Sequence, residues 1–215
     1  KGIGFAIAEA FLQEGAYVVI SGRNEQALSQ AADSLGERYG AERIRGYALD
    51  GAVEQEMLRL GELAAAQTGR IDVWVNNIGT NRPKAGEIYT DEELDYLIGI
   101  LFKSAVFGSQ TAYLHMKEHG GSIVNIASLA ARSATCGRST IYGALKSGII
   151  GLTNTTAGEY AAYGIRVNAV MPGYTRTPLI ASTFTQEAIE ALMQNNLMRR
   201  MAEPEEIAKP VVFLA

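Results

Sequence analysis

The stretch SIVNIASLAARSATCGRSTIYGALKSGIIGLTNTTAGEYAAYGIRVNAV, residues 122–170, decides the fold. Its ends, SIVNIAS (122–128) and IRVNAV (165–170), are short β-branched runs. Between them STIYGALKSGIIGLTNTTAGEYAAYG (139–164) reads as a helix stopped at Gly164, where a left-handed residue closes the last turn. Strand, long helix and strand make a βαβ unit. Working outward, YVVIS (17–21), RIRGYAL (43–49) and IDVWVN (71–76) repeat the strand pattern. Helical patterns at 4–15, 24–40, 54–69 and 90–120 alternate with them, and glycines at 15, 40, 69 and 120 mark their stops. The strands are apolar without clean polar alternation, as in a parallel sheet covered on both faces. The expected architecture is α/β: a doubly wound parallel sheet in three layers, α/β/α, forming a single domain over 1–215.

Composition narrows the function. With 215 residues and 47% hydrophobic content the chain can bury a sizeable core. A net charge of -4 with scattered Lys and Arg argues against nucleic acid, which demands a concentrated basic field. One cysteine, Cys136, leaves no intrachain disulfide, and no charged-then-apolar leader opens the sequence, so a cytoplasmic setting is expected. YLIGILFKSAVFG (96–108) is the longest apolar run; Lys103 and Ser104 interrupt it, and no membrane span is expected.

Within the central helix, Tyr142 and Lys146 are four apart and share a face. An ammonium beside a phenol favours the phenolate, which suits a tyrosine for trading protons with a carbonyl oxygen. At the other end, KGIG (1–4) runs straight into a helix, like the second half of a Gly-rich phosphate loop. Gly2 and Gly4 let backbone approach a pyrophosphate at a helix N-terminus. A strand is expected to precede residue 1 and another to follow VVFLA (211–215). An intact mass of the natural protein above that of these 215 residues would bear this out.

In this order and spacing, KGIG, NNIG (76–79), IVNIAS (123–128), YGALK (142–146) and IRVNAVMPGYTRT (165–177) resemble the motifs of the short-chain dehydrogenase/reductases, over nearly the whole chain. The members most alike are 3-oxoacyl-carrier-protein reductases and sugar or alcohol dehydrogenases. The resemblance implies a Rossmann-like fold and hydride transfer between a nicotinamide cofactor and a carbonyl or secondary alcohol. Tyr142 is then the general acid in reduction and the base in reverse, Lys146 supports it and holds the nicotinamide ribose, and Ser128 orients the substrate oxygen. Ser128 stands fourteen residues before Tyr142, where the family more often has thirteen, so Ser133 and Ser139 stay open as alternatives. The resemblance also places Lys1, Gly2, Ile3, Gly4, Asp50, Asn76, Gly79, Pro172, Gly173, Thr175 and Thr177 around the cofactor, Thr177 ahead of Thr175. It departs at Leu101, where the family usually has an asparagine holding a water in a relay to the lysine. An impaired or structural cofactor-binding relative is the alternative that Leu101 supports.

Cofactor choice follows from charge. In VVISGRN (18–24), Gly22 stands where relatives preferring NAD(H) place an acid, and Arg23 follows it. With Lys1, Arg23 supplies cations of the kind that clamp a 2'-phosphate, so NADP(H) is expected over NAD(H). His115 and His119, without a third ligand, indicate no metal site, and nothing marks Cys136 as a nucleophile. Residues 174–201 follow the catalytic elements and are expected to form a lid, with Ile189, Leu192, Met193 and Leu197 on one helical face. The helices around 94–116 and 142–160 are apolar on more than one face, which points to a homodimer or homotetramer. The substrate is a small carbonyl or alcohol whose identity the motifs leave open.

Overall fold

The computed structural model describes residues 2–80, 88–133 and 140–215; Lys1, Cys136 and Ser139 lie outside them. Helices and strands alternate as the patterns indicate: α1 (Gly2–Gln13), β1 (Val18–Gly22), α2 (Glu25–Tyr39), β2 (Ile44–Ala48), α3 (Glu54–Thr68), β3 (Val73–Asn76), α4 (Asp91–Ile98), α5 (Ser104–Met116), β4 (Gly121–Ile126), α6 (Thr140–Tyr160) and β5 (Ile165–Val170). Three further helices close the chain: α7 (Pro178–Thr183), α8 (Gln186–Gln194) and α9 (Pro204–Leu214).

All strand pairs are parallel, in the orders β1-β2 and β3-β4-β5. Among the described residues the two sheets are not hydrogen-bonded to each other; Val19 and Tyr47 join them by packing on the core around Trp74 and Ile123. Period-2 alternation sorts the layers. Trp74, Ile123 and Val167, in register across three strands, face Met57 and Leu60 of α3 and Ala112 and Met116 of α5. Their neighbours Val75 and Val124, with Ile126 and Val170, turn the other way onto Ala6 and Ile7 of α1 and Ala208 and Val211 of α9. This is a Rossmann-like arrangement with helices on both faces. Leu12, Leu35, Ile123 and Val124 are at most 1% exposed, and each such side chain contributes roughly 1.5–3 kcal/mol of burial energy.

The helical pattern over 90–120 is not uniform. Thr90 caps α4 through a capping box with Glu93, then Gly99–Lys103 widens into a π turn before α5 begins. Single π turns cluster at functional sites, and this one carries Leu101. The run Asp91–Met116 spans 26 residues and, by length and composition, is apolar enough to cross a membrane, which the reading of 96–108 alone did not anticipate. Here 56% of its most apolar window is buried, with Leu97, Leu101, Ala105 and Met116 in the core. Where the chain enters β4 and β5 the two backbones come close: a Cβ on Gly120 would sit 2.8 Å from the Gly164 carbonyl oxygen.

Candidate active site

The βαβ unit that decides the fold also builds the site. Tyr142 and Lys146 lie in the first turns of α6 and are both buried, Lys146 to 4% exposure. A buried ammonium demands partners. Lys146 Nζ donates to the Ile126 carbonyl at the end of β4, 2.7 Å away, and stands 6.0 Å from the centre of the Tyr142 ring. Tyr142 packs with Leu97 and Leu101, so phenol and ammonium sit between α4, the π turn and the carboxyl end of β4.

Ser128 lies two residues past the end of β4 and is 5% exposed. Its Oγ accepts from Ala130 N at 3.2 Å, capping the short 3-10 turn Leu129–Ala131. That turn is fastened on two sides. Leu129 N donates to the Pro172 carbonyl, and Ser147 Oγ donates to the Ala131 carbonyl from α6. Gly143 lets the turn approach, since a Cβ there would lie 3.1 Å from the Ala130 carbonyl oxygen. Ser128 is thereby held beside the N-terminal turns of α6. Ser133 is exposed at the end of the same segment.

The expected cofactor residues divide by position. Gly2 opens α1 at φ 72° and abuts Thr177, whose Cγ2 lies 3.5 Å from the place of a Cβ on Gly2. Thr177 itself caps α7 through Ile180 N. Gly4 lies under the Asn77 amide, which a Cβ on Gly4 would displace. Gly79 faces Leu101 and Lys146: Leu101 Cδ2 and Lys146 Nζ each lie 3.9 Å from the place of its missing Cβ. Bare backbone at Gly2, Gly4 and Gly79 forms a cradle that side chains would fill, which fits a dinucleotide at the first turn of α1.

The other expected residues take varied places. Ile3 packs its side chain on the α1–α9 core. Thr175 is buried and lies in a parallel bridge with Ala202, while Pro172 is buried and Gly173 exposed. Asn76 points into the core. Its Nδ2 donates to Asn125 Oδ1 (2.8 Å) and Ser109 Oγ (3.1 Å), and its Oδ1 accepts from Trp74 Nε1 (2.9 Å). Asn125 continues the chain of bonds to Thr153 Oγ1 and so to the Ile149 carbonyl, tying β3, β4, α5 and α6 together beneath Lys146. The next residue, Asn77, is the one against α1. Strand alternation was the available signal: an asparagine one step beyond a core-facing residue takes the opposite side.

Arg23, just past β1, donates from Nη2 to Tyr96 Oη at 3.4 Å. Asp50 Oδ1 accepts from Ala52 N, and its charge acts on Arg23. A cavity of about 10 Å³ lies beside Lys146, lined by Asn76, Ile78, Leu101, Ser104, Ile126 and Ile149. In the segment 174–201, Ile189, Leu192 and Met193 share the half-buried face of α8. Leu197 does not join them: α8 ends at Gln194, and Leu197 is 99% exposed beyond it. Among the described residues no three His, Cys, Asp or Glu side chains gather as a metal site, and His119 Nε2 instead lies 3.1 Å from the Ile71 carbonyl.

Comparison with known proteins places the chain among relatives of one family. Residues 1–215 match a family profile described as enoyl-(acyl carrier protein) reductase. The chain is 35% identical over 216 residues to a (5R,7aS)-5-hydroxy-7a-methyl-1-oxo-2,3,5,6,7,7a-hexahydro-1H-indene-carboxyl-CoA reductase of Mycobacterium tuberculosis, covering all of this chain and 82% of that protein. It is 34% identical over 219 residues to the 3-oxoacyl-[acyl-carrier-protein] reductase FabG of Thermotoga maritima, with 100% and 86% covered. Among solved structures, ElxO with NADP bound superposes with a TM-score of 0.88 at 29% identity, over 100% of this chain and 87% of that one.

Proposed function

The chain belongs to the short-chain dehydrogenase/reductase family of oxidoreductases acting on alcohol and carbonyl groups, and from that premise we propose an NADP(H)-dependent enzyme that interconverts a ketone and a secondary alcohol, with Tyr142 as general acid and base. One observation carries this reading: a buried lysine, fixed by the Ile126 carbonyl, stands 6.0 Å from the ring of a buried tyrosine at the carboxyl end of β4. Burying an ammonium costs several kcal/mol unless it is paired, a cost that packing alone would not retain.

The nicotinamide cofactor supplies or accepts the hydride. Gly2, Gly4 and Gly79 would hold it close to the backbone, Asn77 and Thr177 would flank it, and Asp50, Pro172 and Gly173 stand along the same edge. In the reducing direction Tyr142 gives its phenolic proton to the carbonyl oxygen while the carbonyl carbon takes the hydride. Lys146 stabilises the negative charge left on Tyr142 and would hold the nicotinamide ribose. Ser128 holds the substrate oxygen. The lid over 174–201 closes the site, its apolar α8 face turned inward, and the enzyme works as a single domain in the cytoplasm.

We also propose self-association into a dimer or tetramer through α5 and α6. Tyr113 stacks on Tyr160 at 4.8 Å and meets Tyr163 edge-on at 5.0 Å, beside Leu114 at 50% exposure. Light scattering that returned a monomer at micromolar concentration would remove this part.

The deciding experiment is NADPH oxidation over a panel of ketones and keto-acids, with NADH alongside. At least one substrate should turn over with kcat/KM higher for NADPH, and Tyr142→Phe should lose more than about a hundredfold in kcat, the scale of general acid catalysis. Turnover that survives Tyr142→Phe refutes the mechanism; a wide preference for NADH refutes the cofactor reading.

A further inference from the structure

We infer that Tyr96 is a positioning residue for cofactor selection: from α4 it holds the Arg23 guanidinium in place to receive a 2'-phosphate. The inference rests on the NADP(H) reading above and adds to it a residue that neither motif nor spacing indicates.

Arg23 and Tyr96 come from different halves of the molecule. Arg23 follows Gly22 at the carboxyl end of β1, in the two-stranded sheet, while Tyr96 sits in α4, which follows β3 of the other sheet. Among the described residues no backbone hydrogen bond joins the two sheets, so this side-chain contact reaches across the division between them at the carboxyl edge. Open α/β sheets bind dinucleotides at that edge. Nη2 of Arg23 donates to Tyr96 Oη at 3.4 Å, and the guanidinium carbon lies 5.9 Å from the ring centre. The contact therefore occupies one Nη and leaves other N–H groups of the planar fork for an anion.

Both partners are suited to their parts. Arg23 is exposed and, left alone, would sample many rotamers, each of which must be given up when a phosphate binds. Tyr96 is half-buried and packs against Leu97, Leu101 and Tyr142, so its phenol oxygen is a fixed point. The hydrogen bond that Arg23 donates to Tyr96 raises the guanidinium pKa above its ordinary value; burial works against this, and the Asp50 charge adds a smaller contribution in its favour. Asp50 also tests the idea, because its carboxylate competes with a phosphate for Arg23. Tyr96 draws the guanidinium to a neutral oxygen, where it keeps its charge available.

The test is binding rather than turnover. Isothermal titration of wild type, Tyr96→Phe, Arg23→Ala and the double variant would use NADP+, NAD+, and the fragments adenosine 2',5'-bisphosphate and AMP. Tyr96→Phe keeps the ring and its packing and removes only the hydroxyl. The expected result is about two- to tenfold weaker binding of NADP+ and of the bisphosphate, the scale of one hydrogen bond to a charged side chain at a partly exposed site. NAD+ and AMP should stay within about twofold, and Tyr96→Phe should add nothing in the Arg23→Ala background. Equal weakening of both cofactors, no weakening at all, or an effect that persists without Arg23 would each overturn the inference. If Arg23→Ala leaves NADP+ binding unchanged, the 2'-phosphate reading itself has failed, and the inference with it.

Discussion

Replacing Leu101 by asparagine separates what this side chain does for the fold from what it does for the reaction. Leu101 is 1% exposed and packs against Leu97 and Tyr142, so truncating it removes fully buried apolar surface. Leu→Ala at such sites costs about 2–5 kcal/mol, with the higher values where the surroundings cannot collapse. Asparagine fills more of the space but brings an amide, and an unsatisfied buried amide costs about 1–3 kcal/mol more. The amide need not go unsatisfied. Lys146 lines the adjoining cavity, which at about 10 Å³ is at the lower limit for one water molecule. A loss of about 3 kcal/mol is the central expectation, or a Tm lower by roughly 6–12 °C for a chain of this size. Turnover should nevertheless stay level or rise, because the amide supplies a hydrogen-bonding group beside Lys146 where the natural side chain has none. The assay is kcat at saturating substrate and cofactor, with Tm and cofactor Kd measured on the same preparations, and Leu101→Ala as the control that loosens packing without adding a polar group. A kcat that falls more than tenfold in Leu101→Asn, with cofactor affinity and circular dichroism unchanged, would refute the reasoning and show that Leu101 does not occupy the relay position.

Two further perturbations probe the supports of the site. Asn125→Leu leaves Asn76 Nδ2 and Thr153 Oγ1 each without one buried partner, and should destabilise the protein by about 2–4 kcal/mol in urea unfolding. A loss under about 0.5 kcal/mol would mean that the network is dispensable. Glu206 is bound at both oxygens by Arg200, at 2.6 and 2.7 Å, and also accepts from Glu203 N, which together hold its carboxyl down to about 2 from the ordinary 4.5. A depressed folded-state pKa stabilises above the unfolded value and is lost as pH falls. The Tm difference between wild type and Glu206→Gln should accordingly be full above about pH 5 and vanish toward pH 2. A difference independent of pH would remove the pair from the stability of the segment leading into α9, where Arg200 also donates to the Met201 carbonyl.

The strands and the long α6 were legible because their periodicities differ and their stops are marked, and Tyr142 and Lys146 because four residues bring side chains together on any helix. The π turn was not. Gly99–Lys103 keeps an apolar composition compatible with an ordinary helix, and the extra residue in the turn is fixed by packing against α6 rather than by a local signal. Leu197 misled for a related reason: helical spacing continued through 197, while the chain left the helix after Gln194, where Asn195 and Asn196 bond back to Leu192 and Met193.

The asparagine pair shows how much more alternation could have yielded. Trp74 in β3 is bulky and apolar and faces the layer of α3 and α5, so Asn76, two residues on, shares its side and Asn77 takes the other. Parity alone thus separates a core asparagine from one beside α1, and the observed bonds of Asn76 to Trp74 and Asn125 follow that division. No comparable rule reaches Arg23 and Tyr96. They are 73 residues apart, in elements attached to different sheets, and neither side chain is part of a local pattern. A contact of that kind exists only because the second turn of α4 is laid against Tyr142, which fixes where the Tyr96 hydroxyl must point. Cofactor selection at Arg23 and proton transfer at Tyr142 would then share one packed cluster, Leu97 and Leu101 included, so that substitutions at Leu101 should be felt at both.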